Sequence, residues 1–210
     1  MALYNPPHFR EDDVALQHEL ITASPFGLLI SAEAEQPCAT PLPLILLPTV
    51  GLLGTLQGHL AKANDHWRSL EGRPVLVVFQ GADAYISPTW YASKREHGKV
   101  VPTWNYATVH VRGTARVVHD GEWLREHVGR LTESQERSRE VPWAIGDAPS
   151  TYIEGQLKGI VGIEIEIRAL EGKWKVSQNR SAEDQRGVIA GLASQGDEAM
   201  ASLVKGKLKS

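Results

Sequence analysis

The sequence predicts a small antiparallel β-barrel with peripheral helices. Short apolar runs that suit strands lie close together and are separated by turn residues, which is typical of hairpins. This order differs from the regular alternation of strands and helices in a doubly wound sheet. Stretches with helical periodicity interrupt the strands, and hairpins with helices around them fit a small barrel best.

The first half of the chain is predicted to hold two helices and five strands. The helices cover residues 12–22 and 60–70, and the strands cover 26–32, 41–47, 52–56, 75–80 and 84–87. The second helix is predicted because Leu60, Ala63, Trp67 and Leu70 recur at helical spacing. A turn at Gly81–Asp83 is predicted to separate the last two strands.

The second half of the chain begins with a long predicted strand over 101–113, which residues 114–118 continue or bend. Asp120 is the predicted N-cap of a helix that reaches Leu131, and Ser150 the cap of a short helix over 151–157. A clean alternation predicts a strand over 161–167. A turn at Gly172, a final strand over 174–176 and helices capped by Ser181 complete the chain.

Composition and charge limit the function. The 210 residues carry a net charge of −3 without a strongly basic block, whereas proteins that neutralise nucleic-acid phosphates are usually basic on at least one face. The single cysteine, Cys38, excludes an intramolecular disulfide. No signal peptide and no stretch of membrane-spanning length is recognisable, so we expect a soluble cytoplasmic protein. Metal-binding, Walker and dinucleotide-binding motifs are also missing, and we expect no metal site.

The long strand contains an unusual row of residues. Residues 99–113 read KVVPTWNYATVHVRG, in which Trp104, Asn105 and Tyr106 stand side by side. On a strand, Trp104 and Tyr106 share one face and Asn105 lies on the other. Two interpretations are open: the aromatic rings bind a flat heterocycle, or the row belongs to a barrel core with one capped polar side chain.

Three other segments also have two interpretations each. In GHLAKAN, His59, Lys62 and Asn64 lie at the start of the predicted helix, where an anion such as phosphate would be stabilised. An ordinary surface helix explains the same residues. In QGADAYISPTWY, residues 80–91, the aromatic side chains of Tyr85, Trp90 and Tyr91 form either a wall for a ring or core contacts under a loop. In GKWKVSQNR, the polar residues form either a loop or a group of donors for a phosphate or ring edge.

In this order, and together with Phe9 and Asp12 near the start, these segments resemble the PaiB family over about residues 4–192. The resemblance implies a six-stranded FMN-binding split β-barrel over residues 1–192 with helical additions, followed by a helix or tail over 193–210. It also implies a homodimer with FMN at the subunit interface. Its members are named as regulators of protease synthesis and sporulation, which implies a negative regulator of transcription. One alternative is an FMN-dependent oxidoreductase or flavin reductase, for which we name no catalytic residue. The other is a dimeric interaction module whose cofactor site has decayed.

The resemblance also implies three groups of cofactor-binding residues. The FMN phosphate would be bound by His59, Lys62 and Asn64. The isoalloxazine ring would lie beside Thr103, Trp104, Asn105 and Tyr106. The ring would be covered by Lys175, Gln178 and Asn179. The chain departs from the family pattern at Thr40, near which a histidine is expected, and at Ser134–Gln135, where a basic residue and a histidine are expected.

Overall fold

The computed structural model describes residues 3–33 and 36–208, which form a mainly antiparallel sheet with several helices. Within the described residues the sheet has eight strands in the order β3-β2-β6-β7-β8-β5-β4, and β1 pairs with β8. The strands are β1 (Arg10–Glu11), β2 (Phe26–Glu33), β3 (Gln36–Pro43), β4 (Ile45–Leu47), β5 (Thr55–Ala61), β6 (Pro74–Ile86), β7 (Thr103–Val118) and β8 (Ile160–Lys175).

Helices occupy the connections between strands and the C-terminal part of the described chain. They are α1 (Val14–Ala23), α2 (Ser93–Glu96), α3 (Gly121–Glu136), α4 (Ser150–Leu157), α5 (Ala182–Ser194) and α6 (Glu198–Gly206). In the described residues, four 3₁₀ helices cover Pro7–Phe9, Asp65–Ser69, Pro88–Trp90 and Ile145–Asp147. No helix of the described residues is long and apolar enough to cross a membrane.

The chain divides into two compact units. Unit 1 contains residues 1–20, 80–109 and 171–210, as far as they are described, and unit 2 contains 21–79 and 110–170. The predicted single domain over 1–192 remains a prediction. Part of the predicted C-terminal segment is the helix α6, while residues 209 and 210 lie outside the described residues.

Unit 1 has a core formed by the inward positions of its strands and by the helices α5 and α6. Its buried apolar side chains include Ile86, Val109, Val176, Val188 and Met200. Ser181 begins α5 as predicted, because its side chain accepts a hydrogen bond from the Asp184 N–H at 3.2 Å.

Unit 2 has a core formed by alternating residues of β2, β5, β6 and β8. Leu29, Leu56, Val77, Ile163 and Ile165 are fully buried. The predicted N-cap is confirmed for α3, since the Asp120 carboxylate accepts a hydrogen bond from the Trp123 N–H at 2.7 Å. This helix continues to Glu136, beyond the predicted end at Leu131.

Helix α3 contacts the sheet of unit 2 through the indole of Trp123, which lies directly on Gly162. A Cβ atom at Gly162 would be 2.2 Å from the Trp123 ring. Gly162 is paired with His59 in the ladder of β5 and β8. Only a residue without a side chain therefore permits this approach of helix and sheet.

We expect Gly162→Ala to lower the free energy of unfolding by about 1–3 kcal/mol, because the added methyl group displaces Trp123. Gly155→Ala is the matched control, since a Cβ at that position of α4 meets nothing within 4 Å. The control should be neutral or stabilising, as alanine favours helix. Urea unfolding monitored by circular dichroism measures both variants, and equal stabilities would contradict the close contact.

Three predicted elements are wrong. The helix predicted over 60–70 does not form: β5 continues to Ala61 in register with β8, and only the five-residue 3₁₀ helix Asp65–Ser69 follows. The predicted turn at Gly81–Asp83 lies inside the continuous strand β6, and the predicted turn at Gly172 lies inside β8. Ladder pairing over a long sheet outweighs these local signals.

Two further strands differ in their limits. The strand predicted over 41–47 is two strands, β3 and β4, and the strand predicted over 52–56 begins later, at Thr55, as β5. The predicted cap Ser150 is wrong, since Ser150 is the first residue of α4, Pro149 is the N-cap and no side chain caps this helix. The strand β8 extends beyond the predicted end at Ile167, to Lys175. The other predicted strands and helices have the predicted type.

Candidate functional site

The row Trp104, Asn105 and Tyr106 lies on β7 in unit 1, and its side chains alternate between the exposed and the buried face of the strand. Trp104 is 55% exposed, Asn105 is 1% exposed and Tyr106 is half-buried. The following Ala107 and Val109 are buried. Alternation along the strand therefore continues through the row, and Trp104 is not a core residue.

The exposed side of Trp104 is extended by a second aromatic ring. Tyr85 on β6 is 49% exposed, and its ring centroid is 6.2 Å from that of Trp104 at an interplanar angle of 72°. Edge-to-face rings at this separation stabilise each other. The two other aromatic residues of that segment are core contacts: Tyr91 is buried, and Trp90 lies on Gly191 of α5.

Two lysines of β8 contact this part of β7. The Lys175 ammonium donates hydrogen bonds to the Thr103 hydroxyl and to the Trp104 carbonyl. The Lys173 ammonium lies 5.4 Å from the centroid of the Tyr106 ring, a cation–π contact. Burial lowers the pKa of Lys175 below its usual value, and the charges of Lys173 and Arg180 lower it further.

The segment that follows β8 is held by side-chain hydrogen bonds. The Asn105 amide donates to the Ser177 hydroxyl at 2.9 Å, and both side chains are buried. Ser177 has φ 66°, the left-handed region, and is the one non-glycine residue there among the described residues. The Gln178 side chain accepts from the Val176 N–H and donates to the Trp174 carbonyl, while Asn179 is exposed.

The residues predicted to bind phosphate lie on one segment of unit 2, but not on a helix. His59 belongs to β5, and Lys62 and Asn64 lie in the turn that follows. Asn64 caps the 3₁₀ helix by accepting from the His66 N–H at 3.2 Å, and its amide donates to the Thr40 hydroxyl at 3.4 Å. The predicted helix N-terminus at His59 and Lys62 is therefore wrong, and Asn64 has a local structural role.

A buried histidine connects this turn with two strands. The His66 ring nitrogens lie 2.9 Å from the Ser31 hydroxyl and 2.8 Å from the Thr40 hydroxyl. Thr40 belongs to the segment 40–43, near which the family pattern leads us to expect a histidine. Its hydroxyl here joins His66 and Asn64 into one network that fixes the turn.

Lys62 lies beside a cavity of about 420 Å³ in unit 2. The Lys62 side chain is exposed, and within the described chain its ammonium has no hydrogen-bond or ion-pair partner. The cavity is lined by basic, acidic and apolar residues: Lys62, His119, Arg125, Lys158, Glu122, Glu154, Gly121, Leu124 and Leu157. Apart from the histidine, the lining has three cations and two carboxylates, of which Arg125 and Glu154 form an ion pair at 3.9 Å, and the excess of one positive charge favours an anion modestly.

His59 has a partner that the sequence did not indicate. Its Nδ1 lies 3.0 Å from Nε2 of His127 on α3, and His127 is fully buried. Burial lowers the pKa of His59. Burial, followed by the charges of His59 and Arg130, lowers the pKa of His127 to about 4. Both rings are therefore neutral at pH 7.

A polar network lies next to the histidine pair. Gln57 donates to the Glu164 carboxylate at 2.7 Å and accepts from Arg130 at 2.9 Å, while Arg116 binds Glu164 at 2.7 Å. Burial would raise the pKa of Glu164, but the hydrogen bonds from Arg116 and Gln57 outweigh it and lower the pKa.

The predicted site residues thus form a separate group in each unit. In unit 1, Thr103, Trp104 and Lys175 are in direct contact. In unit 2, His59, Lys62 and Asn64 share one segment but have different partners. His127 and Trp123 lie on the helix predicted from Asp120, but the sequence indicated no role for either residue beside His59.

The fold is shared with known flavoproteins. The FAD and heme binding protein from Mycobacterium smegmatis has a TM-score of 0.58 at 16% identity, over 79% of this chain and 73% of that chain. The flavocytochrome Anf3 from Azotobacter vinelandii has a TM-score of 0.57 at 14% identity, over 79% and 69%. These similarities confirm the predicted fold class, a split β-barrel with added helices, although the sheet described here has eight strands and not six.

The sequence comparisons define the family. Residues 3–169 match the family described as "Putative FMN-binding domain". Protease synthase and sporulation protein PAI 2 of Bacillus subtilis (strain 168) is 35% identical over 211 residues, 99% of this chain and 99% of that protein. The chain belongs to this FMN-binding family and is of PaiB type, and FMN is the cofactor of the family.

Proposed function

We propose that this protein binds FMN in the cytoplasm as a homodimer and acts as a negative regulator of transcription. The observation that carries the proposal is the match of residues 3–169 to the FMN-binding family, together with 35% identity to PAI 2 over almost the whole chain. The name of that relative contains the words protease synthase and sporulation, which supports a regulatory role.

The residues of unit 2 fit the phosphate of FMN. Lys62 offers an exposed ammonium, and basic residues outnumber acidic ones around the adjacent cavity. A phosphate monoester carries nearly two negative charges at pH 7 and accepts hydrogen bonds only, so a lysine and a donor from His59 suit it. Asn64 supports this group by fixing the turn that contains Lys62.

The residues of unit 1 fit an isoalloxazine ring. Trp104 and Tyr85 expose aromatic surface to solvent, and a flat heterocycle that stacks on such surface removes it from water. Lys175 is the donor next to this surface, and its ammonium is already oriented by Thr103 and the Trp104 carbonyl. Bound flavin would supply redox chemistry, while these side chains would bind and orient the ring.

Lys62→Ala is expected to raise the Kd for FMN by about tenfold and to leave the Kd for riboflavin unchanged, because only FMN has a phosphate. Quenching of flavin fluorescence on titration measures both constants. Lys94→Ala, a lysine of α2 in unit 1, is the matched control. Equal losses for both ligands would exclude Lys62 as a phosphate ligand, and no quenching with the unmodified protein would exclude FMN binding.

Two further measurements distinguish a regulator of transcription from an oxidoreductase. The mild negative charge suggests that a regulator of this type acts through its dimer or through a protein partner. Retardation of promoter DNA that exceeds that of random DNA and weakens with salt would support direct binding. Oxidation of NAD(P)H by the FMN-loaded protein would favour the alternative, an oxidoreductase. Gel filtration with and without FMN tests the homodimer.

A further inference from the structure

The contact between His59 and His127 is enclosed on several sides in unit 2. The His127 ring is stacked on Trp123, with centroids 5.3 Å apart and an interplanar angle of 17°. Trp123 lies on Gly162, and Gly162 is the ladder partner of His59. Sheet, indole and helix therefore fix both imidazole rings. The Nδ1 atom of His59 faces His127, and only its Nε2 atom remains for another ligand.

Each neutral imidazole carries one proton, and a single proton lies between His59 Nδ1 and His127 Nε2. Either ring can supply this proton, so two arrangements are available. In the first, His59 donates from Nδ1, and His127 must then carry its own proton on Nδ1. In the second, His127 donates from Nε2, and His59 carries its proton on Nε2. No described residue accepts from or donates to Nδ1 of His127, which is buried. The first arrangement would leave a buried N–H without an acceptor, which is rare, so the second is favoured.

The second arrangement is also the one that binds phosphate. Phosphate oxygens only accept hydrogen bonds in their dianionic state, so a neutral His59 must present Nε2–H. Its Nδ1 atom then carries a lone pair that can accept a hydrogen bond, and Nε2–H of His127 lies 3.0 Å away and can donate it. The ring partner thus determines which nitrogen of His59 carries the proton.

We propose that His127 is a positioning residue for His59: it donates Nε2–H to His59 Nδ1 and thereby holds His59 in the tautomer that presents Nε2–H to the phosphate of FMN. The inference rests on the proposed FMN binding. It assigns a role to a buried residue of α3, outside the segment that contains His59, Lys62 and Asn64.

The tautomer is measured directly by ¹⁵N NMR of the imidazole rings in the full chain without FMN, because protonated and unprotonated ring nitrogens have distinct shifts. We expect Nε2 protonated and Nδ1 unprotonated on both histidines. A proton on Nδ1 of His59 would overturn the proposal. Since FMN is not present, this result does not depend on whether the protein binds it.

The effect on the ligand is measured with His127→Phe and His127→Gln. The phenyl ring retains the stacking but cannot donate, and we expect the ratio of Kd for FMN to Kd for riboflavin to rise by about fivefold. The glutamine amide can donate to His59 Nδ1 and should keep the ratio within about twofold of the unmodified protein. His97→Gln, an exposed histidine of unit 1, is the control and should leave the ratio unchanged.

An unchanged ratio in a folded His127→Phe variant would overturn the proposal. If this variant does not fold, the NMR tautomer of the unmodified chain and the ratio in His127→Gln decide instead, and a fivefold rise with glutamine would count against the donor role. If the unmodified protein binds no FMN at all, the proposed function fails, while the NMR spectrum still shows whether His127 donates to His59.

Discussion

The free energy of unfolding is expected to fall by about 3 kcal/mol through His127 alone as the pH is lowered from 7 to 4. The reason is that His127 is fully buried and its pKa is about 4, whereas an unfolded histidine has a pKa of 6.5. Each pH unit between these two values corresponds to about 1.4 kcal/mol, and because the folded chain is itself half protonated at His127 at pH 4, the loss reached there is about 3 kcal/mol.

The sign follows from proton binding. Between pH 6.5 and 4 the unfolded chain carries a proton on this histidine and the folded chain does not, so stability rises with pH across this interval. Above pH 6.5 both states are neutral at His127, and its contribution is constant. The lowered pKa of His59 acts in the same direction. The loss therefore begins near pH 6.5 and levels off below pH 4.

Urea unfolding at pH 7, 6, 5 and 4 measures this dependence, with His127→Gln as the comparison. Glutamine does not titrate, so the difference between the two curves isolates His127. Carboxylates with lowered pKa values such as Glu164 lose their contribution only below about pH 4.5, and they do so in both proteins. Parallel curves between pH 7 and 5 would show that His127 is not held neutral by burial.

The long strands show how much of the fold can be predicted from the sequence. The alternation of Ala107, Val109 and Val111 predicts the inward face of β7, and all three are buried. Glycine gave the wrong signal at Gly81 and Gly172, since both lie inside continuous strands. At Gly172 the reason is a close neighbour from far along the chain: a Cβ there would be 2.6 Å from the Glu11 carbonyl oxygen of β1. A local sequence pattern does not contain this contact.

The segment around Lys62 shows why a helix was predicted where a strand continues. Leu60 fits a helical period with Ala63 and Trp67, but it also alternates with Leu56 and Gly58 on the inward face of β5. Pairing with β8 through Ala61 decides between the two, and those partners are about a hundred residues away. The family resemblance implies Lys62 as a phosphate ligand independently of whether its segment is a helix or a strand.

Only part of the candidate site can be predicted from the sequence, because contacts between distant residues are not contained in a local pattern. Periodicity alone places Trp104 and Tyr106 opposite Asn105, and burial bears this out. It cannot show that the ring of His59 meets His127, because that contact joins a strand to a helix 68 residues later. Periodicity also cannot show which residue accepts a hydrogen bond from the buried amide of Asn105. Flavin binding by each of the predicted cofactor-binding residues stays a prediction.

Asn105→Leu is expected to lower the free energy of unfolding by about 2–4 kcal/mol. The variant keeps a similar volume but leaves the buried Ser177 hydroxyl without the amide that binds it at 2.9 Å. It also releases Ser177, whose φ of 66° is unfavourable for a residue with a side chain and is maintained by its surroundings. The Gln185 amide still binds the Ser177 carbonyl at 3.1 Å, so the segment should loosen without being lost.

A double-mutant cycle with Ser177→Ala isolates the hydrogen bond between the two side chains. We expect the two losses to overlap by at least about 1 kcal/mol, because either substitution alone already breaks the bond. Ser177→Gly separates the backbone term, since glycine accepts a positive φ and should be less destabilising than alanine. Additive losses within about 0.5 kcal/mol would show that the bond contributes little.

The same variants decide between the two roles of Asn105. As an anchor of the segment 177–179, Asn105 affects flavin only through the position of Gln178 and Asn179. Asn105→Leu and Ser177→Ala should then raise the Kd for riboflavin by similar factors. A rise with Asn105→Leu alone, without a loss of stability, would instead make Asn105 a direct contact of the flavin ring. Because the Asn105 side chain is 1% exposed and already bound to Ser177, we expect the first result.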